Sequence, residues 1–273
     1  MYSFGPIPRQ KRSGRVIGTH QKIDRVARRH FSLFTDPALE FPAIRDILHF
    51  EGSRGPDGLK LKSPNNDEPK HFIDPANPDG ELMEWIRHHS DSLSTALVAG
   101  DTIKASFEAA WLAHAVTDGL TPAHHEPYEE QMKELRHPDT LVGRGVKSKV
   151  LMAGNTRREM VRNNWQYWGA KGIMTTHTLF EAGVAVAAKP YKFESALPSD
   201  HDIEHIADEG FEHVYFRLVT EVASLGMYDA FKKKGWTSQL ARQTNHDLLP
   251  RIIIAVILAW HDAYAKALKE VKS

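Results

Sequence analysis

Cysteine is absent from the 273 residues, which excludes disulfides, thiolate metal sites and cysteine nucleophiles. No charge sign dominates: Lys+Arg and Asp+Glu each number 35, so no global basic field marks a dedicated nucleic-acid binder. The most apolar run, RIIIAVILAW at 251–260, is about half the length needed to cross a bilayer and reads as a buried helix. No transmembrane segment is expected. The opening MYSFGPIPRQKRSGRVIG has no apolar core of the signal-peptide kind, which tilts the expected location toward the cytoplasm. Sustained alternation of apolar and polar residues is missing too, so strands are not expected. What the chain does have is histidine, 16 in all, and any metal must be held by these and by carboxylates.

The pattern is one of helices separated by Pro/Gly/Asn loops, predicted near 20–34, 81–98, 102–118, 146–167, 170–188, 201–224 and 248–270. The longest loop, 51–80, is dense in turn formers, and so long a loop in a compact domain is usually functional. A second irregular stretch, HPDTLVGRGVKS, covers 137–148. No repeat or composition shift divides the chain. The expected architecture is a single compact all-α domain at 19–273 behind an N-terminal extension at 1–18.

Three of these helices carry polar residues on their apolar faces. In HAVTDGLTPAHH (114–125), His114 and Asp118 continue the arc of Phe107 and Trp111, an aromatic stripe expected to be buried. A His and an Asp in a dry interior need a bound cation or a mutual hydrogen bond. Pro122 stops this helix, and the turn can bring His124 back toward His114 and Asp118. His177 and Glu181, again four apart, share an arc with Ile173, Val184 and Ala188. His20 lines up with Ala27 and Phe31, and Asp24 is placed to orient its second nitrogen. One inward His is ordinarily a satisfied core residue; three such helices are hard to pair off without a metal. The long loop adds Asp57 in GPDG, otherwise a turn aspartate, and His71 in KHFIDP, otherwise a solvated loop histidine.

This ordered set resembles the zinc-dependent phospholipase C family, related to the S1/P1 nucleases, which are all-α enzymes with a cluster of three metals. The matching residues are His20, Asp57, His71 in HFID, His114-x3-Asp118-x3-Pro122-x-His124, and His177-x3-Glu181, within 19–181. The resemblance implies one zinc on Asp57, His71 and His114 with Asp118 bridging, a second on His124, His177 and Glu181, and a third on His20 and Asp118. Two or three zinc ions per chain are therefore expected. Two departures stand out. The family completes its third site with an N-terminal tryptophan, whereas the first Trp here is Trp85. The segment near 125–176 is a long insertion, carrying Arg144, Lys147, Lys149, Arg157, Arg158 and Arg162. These read as a solvated helix face or as a cationic lip for an anionic head group.

The implied activity is metal-dependent phosphodiester hydrolysis by a zinc-activated hydroxide, with Asp57 as the catalytic residue, a ligand that also serves as general base. Glu181 and the spacing of 14 from Asp57 to His71 lean toward a phospholipase acting on a phospholipid head group at a membrane surface. A single-strand nuclease is the alternative, for which Trp165 and Trp168 in NNWQYWG, otherwise core residues, would stack bases. A non-catalytic metal-binding relative is a further alternative. HD pairs at 201–202, 246–247 and 261–262 raise the HD-domain phosphohydrolases, but they lack the surrounding ligands in order; His201 and His205 are expected to be exposed at a helix start.

Overall fold

Helices make up the regular structure of this computed structural model, which describes residues 18–62, 71–126, 135 and 151–273. Among the described residues there is no strand, only an isolated bridge between Asp74 and Asn77. The chain runs through α1 (Thr19–Phe31), α2 (Ile44–Ile47), α3 (Pro56–Lys62), α4 (Glu81–Val98) and α5 (Thr102–Gly119). It continues with α6 (Arg157–Trp168), α7 (Ile173–Ala188), α8 (Asp200–Glu209), α9 (Phe211–Ser224), α10 (Met227–Lys234), α11 (Ser238–Gln243) and α12 (Leu249–Val271). The protein is all-α, as the patterning predicts.

The apolar run at 251–260 lies in α12, where Ile252, Ile253 and Ala255 to Trp260 are buried. By length and composition Ser238–Val271 could cross a membrane, but 67% of its most apolar window is covered by protein. Around α12 pack α1, α4 and α5, with α4 and α5 joined by a three-residue turn at 99–101. Polar handles fix this packing. The Trp260 indole N–H donates to the Ala109 carbonyl at 2.9 Å, and the Tyr264 hydroxyl lies 2.7 Å from the Leu39 carbonyl. Phe31, Phe41, Trp260 and Tyr264 close the cluster with tilted and edge-to-face contacts.

Several element boundaries differ from the sequence expectation. The helix expected at 146–167 begins only at Arg157, because the Thr156 side chain accepts the Glu159 N–H as an N-cap. Residues 151–156 are not helical, and 137–150, with Arg144, Lys147 and Lys149, lie outside the described residues, as do 1–17. The helix expected at 201–224 is two helices, α8 and α9, divided at Gly210, whose φ of 82° suits glycine. The loop at 51–80 is not loop throughout. It holds a 3-10 turn at Gly52–Arg54 and then α3, so Asp57 sits in the first turn of a helix rather than in a bare turn. Ahead of α12 the chain widens into a π-turn at Thr244–Leu248.

Candidate metal centre

The helix α5 supplies the centre of the site. It starts at Asp101, whose side chain accepts the Lys104 N–H at 3.0 Å, and it is buried on nearly every side from Ala105 onward. His114 and Asp118 are each 2% exposed. The aromatic half of the stripe departs from expectation. Phe107 and Trp111 are only half-buried, against Phe50 and Trp85 at the rim, while the polar half lies deepest.

The end of α5 is built to return the chain. A Cβ at Gly119 would stand 2.1 Å from the Tyr215 hydroxyl and 2.9 Å from Leu82 Cδ2, so only glycine fits there. Tyr215 uses that approach to donate to the Val116 carbonyl at 3.0 Å. Thr121 N–H then bonds the Asp118 carbonyl at 2.9 Å, and a 3-10 turn at Pro122–His125 swings His124 under the helix. The His124 carbonyl accepts the Ile73 N–H at 3.1 Å, which holds the His71 segment against the same turn.

All eight residues of the ordered set converge. His71 Nδ1 lies 2.5 Å from Asp118 Oδ2, and His114 Nε2 lies 3.3 Å from the same oxygen. Asp57 Oδ1 is 3.6 Å from His114 Nε2 and 3.9 Å from His71 Nε2. Asp118 Oδ1 faces the other way, 3.4 Å from His20 Nε2 and 3.7 Å from His124 Nδ1. Across α7, Glu181 Oε1 is 3.3 Å from His124 Nε2 and 3.1 Å from His177 Nε2. The His20 and His114 rings stack at 4.1 Å, and those of His124 and His177 at 5.0 Å.

Sequence reasoning missed one member. Glu51, on the 3-10 turn ahead of α3, has a fully buried side chain with Oε1 3.5 Å from His114 Nδ1. Its other oxygen accepts the Gly52 N–H at 3.2 Å. The loop around it has no periodicity and so no face to read; a carboxylate six residues ahead of Asp57 was the sole signal. Asp24 also differs from expectation. It is buried, but both His20 nitrogens are without a hydrogen-bond partner, so it does not orient that ring.

The electrostatics are those of a site with many acids in a dry volume. Burial opposes charge on His114, yet Asp118, Asp57 and Glu51 outweigh it and hold the imidazole pKa well above its ordinary value. Burial likewise opposes charge on Asp118 and Asp57, but His114 beside them keeps both carboxyls well below the usual range. For His124 burial wins, and its pKa is pushed down to about 3 against the pull of Asp118 and Glu181. Asp24 is pushed up, by burial first and then by the Glu51 charge.

Do these residues fit a metal? Seven of the twelve buried side-chain atoms without a hydrogen-bond partner, among the described residues, fall in this one cluster. They are both nitrogens of His20 and of His114, His124 Nδ1, Glu51 Oε1 and Asp24 Oδ2. Each such atom left unmet costs roughly 1–3 kcal/mol. Imidazole nitrogens and carboxylate oxygens are also the donors a zinc-like ion takes. Bonds of about 2.0–2.2 Å in a tetrahedron put ligand atoms roughly 3.3–3.6 Å apart, close to most separations found here. Among the described residues three groups could hold an ion: Asp57, His71 and His114; His124, His177 and Glu181; and His20, Glu51 and His114. None includes the HD-pair histidines His201, His246 and His261; on α8 the exposed His201 and the half-buried His205 lie with their Nε2 atoms 3.1 Å apart.

No protein-family model matches the chain, and neither curated proteins nor solved structures give a match.

Proposed function

We propose that the chain is a metal-dependent phosphodiesterase of the zinc phospholipase C and P1 nuclease type, acting on phospholipid. One observation carries this reading: eight His, Asp and Glu side chains, spread over 20–181, meet at metal-ligand spacing around Asp118. In it Asp57, His71 and His114 would hold one zinc, with Asp118 shared between it and the His20 position, and His124, His177 and Glu181 would hold a second. His20 and Asp118 face a third position, and Glu51 stands behind His114 at its Nδ1. Zinc held by these residues would supply Lewis acidity, for lowering the pKa of water and for stabilising charge on a phosphodiester.

The chain's own residues divide the remaining work. Asp118 is buried and shared, one oxygen facing His71 and His114 and the other His20, so it would fix the spacing between the first group and the His20 position. Asp57 is about a quarter exposed and stands at the mouth of the group, which places it within reach of an attacking water. His71 and His177, each 14% exposed, line the entrance with it. His20, His114 and His124 lie beneath, out of contact with substrate.

A second reading, a single-strand nuclease, is favoured by the exposure of Trp165 and Trp168, which could stack bases. Zinc-loaded protein assayed on phosphatidylcholine, on a soluble phosphodiester and on single-stranded DNA separates them. Phospholipid turnover supports the first reading, DNA cleavage the second. Bound zinc with no turnover of any of the three contradicts both.

A further inference from the structure

Among the described residues, the helix α6 has an outer face that its neighbours leave open. Asn163 and Tyr167 turn inward, with Asn163 donating to the Ala153 carbonyl at 2.7 Å. On the other side Val161, Trp165 and Trp168 follow one another at spacings of four and three, which places them on one stripe. Val161 is 64% exposed, Trp165 71% and Trp168 42%. Trp165 and Trp168 are thus not core residues, one of the two readings the sequence left open for them. Leu151, 62% exposed, belongs to the segment that Asn164 ties to α6 through two hydrogen bonds with Met152.

Exposed tryptophan is costly in water, and it is concentrated here rather than scattered. The same face carries Arg157 and Arg158, both exposed, with Arg162 at its edge. Three arginines on this helix are set against one acid, Glu159, which also caps toward Asn155. The end of this helix is tied to α7, the helix that carries His177. The Trp168 carbonyl accepts the Thr175 hydroxyl at 2.9 Å, and Thr175 is two residues before His177.

Tryptophan and aliphatic side chains flanked by arginine suit one partner, the interface of an anionic bilayer. Indole rings sit at head-group level, aliphatic groups enter the acyl boundary, and guanidinium groups pair with phosphate. A nucleic acid would use the rings and arginines but not Val161 or Leu151. We infer that α6 is a membrane-docking helix that seats Val161, Trp165 and Trp168 in the surface of an anionic bilayer and brings the His177 side of the metal centre against the lipid head groups. The choice of partner rests on the phospholipid reading of the site; the face itself does not.

The test uses the full chain as purified, with flotation on vesicles of phosphatidylcholine alone and of phosphatidylcholine mixed with phosphatidylglycerol, followed by tryptophan emission. The expected result is binding to the anionic vesicles with a blue shift, and weaker binding to the neutral ones. Arg157→Gln and Arg158→Gln should each weaken anionic-vesicle binding about fivefold. Trp165→Ala with Trp168→Ala should weaken binding to both vesicles by about tenfold or more, with the circular dichroism melt and zinc content retained. Equal vesicle binding by this double variant and the parent overturns the inference. So does a parent that ignores vesicles, or one whose α6 substitutions reduce only binding to a single-stranded oligonucleotide. Vesicle binding with no phosphodiester cleavage supports the docking face and removes the hydrolase reading, so the two fail separately.

Discussion

Replacing Glu51 by glutamine tests how the buried acid serves the site. Gln keeps the volume and shape, so packing is held nearly constant while the charge beside His114 Nδ1 is lost. If His114 gives Nε2 to an ion shared with Asp57 and His71, its other nitrogen must carry the proton and needs an acceptor. Glu51 Oε1, 3.5 Å away and otherwise without a hydrogen-bond partner, is that acceptor. Loss of such an outer carboxylate typically weakens metal binding 10–100-fold, about 1.4–2.7 kcal/mol. An ion present at about 100 times its Kd stabilises the fold by roughly 2.7 kcal/mol. At about 2–4 °C per kcal/mol for a domain of this size, Glu51→Gln should narrow the melting gap between zinc-loaded and chelated protein by roughly 3–10 °C. Zinc titration by calorimetry and paired thermal melts measure both quantities. An unchanged affinity together with an unchanged melting gap would refute the role assigned to Glu51. Loss of one whole zinc equivalent would show it to be a direct ligand instead.

Further outcomes follow from the same geometry. Asp57→Asn should cut turnover far more than substrate binding, since it removes a proton acceptor at the mouth of the site; kcat and KM measured with zinc saturating check this. Asp118→Asn should lower zinc content by more than one ion, because the carboxylate faces His20, His71, His114 and His124 at once, and elemental analysis reads it directly. Gly119→Ala should destabilise by about 1–3 kcal/mol or more, as the new methyl meets Tyr215 and Leu82, and a denaturant melt reports it. In the metal-free protein His114, with its raised pKa, contributes stability below its unfolded pKa of about 6.5, and this is lost as pH rises through the higher folded value. Zinc must displace that proton, whereas His124, at about 3, is already neutral over the working range. On lowering the pH, zinc should therefore leave the Asp57, His71 and His114 group before the His124, His177 and Glu181 group. Release of both at one pH argues against it.

The site was legible where helical spacing constrained it. His114 with Asp118, and His177 with Glu181, are four apart on apolar helices, so the sequence alone put each pair on an inward face. Pro122 predicted the turn that returns His124. Glu51 was hidden because a 3-10 turn in an aperiodic loop gives no face to read. Asp24 was visible as a buried carboxylate but not in its surroundings, since its neighbour Glu51 comes from a distant turn. Boundaries failed where one backbone feature outweighed periodicity: the positive φ of Gly210, and the Thr156 cap that delays α6. The tryptophans of α6 stayed open between core and surface, because large apolar side chains are usually buried and a stripe on one helix does not say which side faces the core.

The most direct measurement is the metal content of the full chain, purified without chelators and reloaded with zinc, paired with anomalous diffraction at the zinc edge. Two or three ions per chain are expected, with peaks inside the Asp57–His71–His114 and His124–His177–Glu181 groups. Fewer than one ion per chain, with His114→Ala binding as much zinc as the parent, would contradict this.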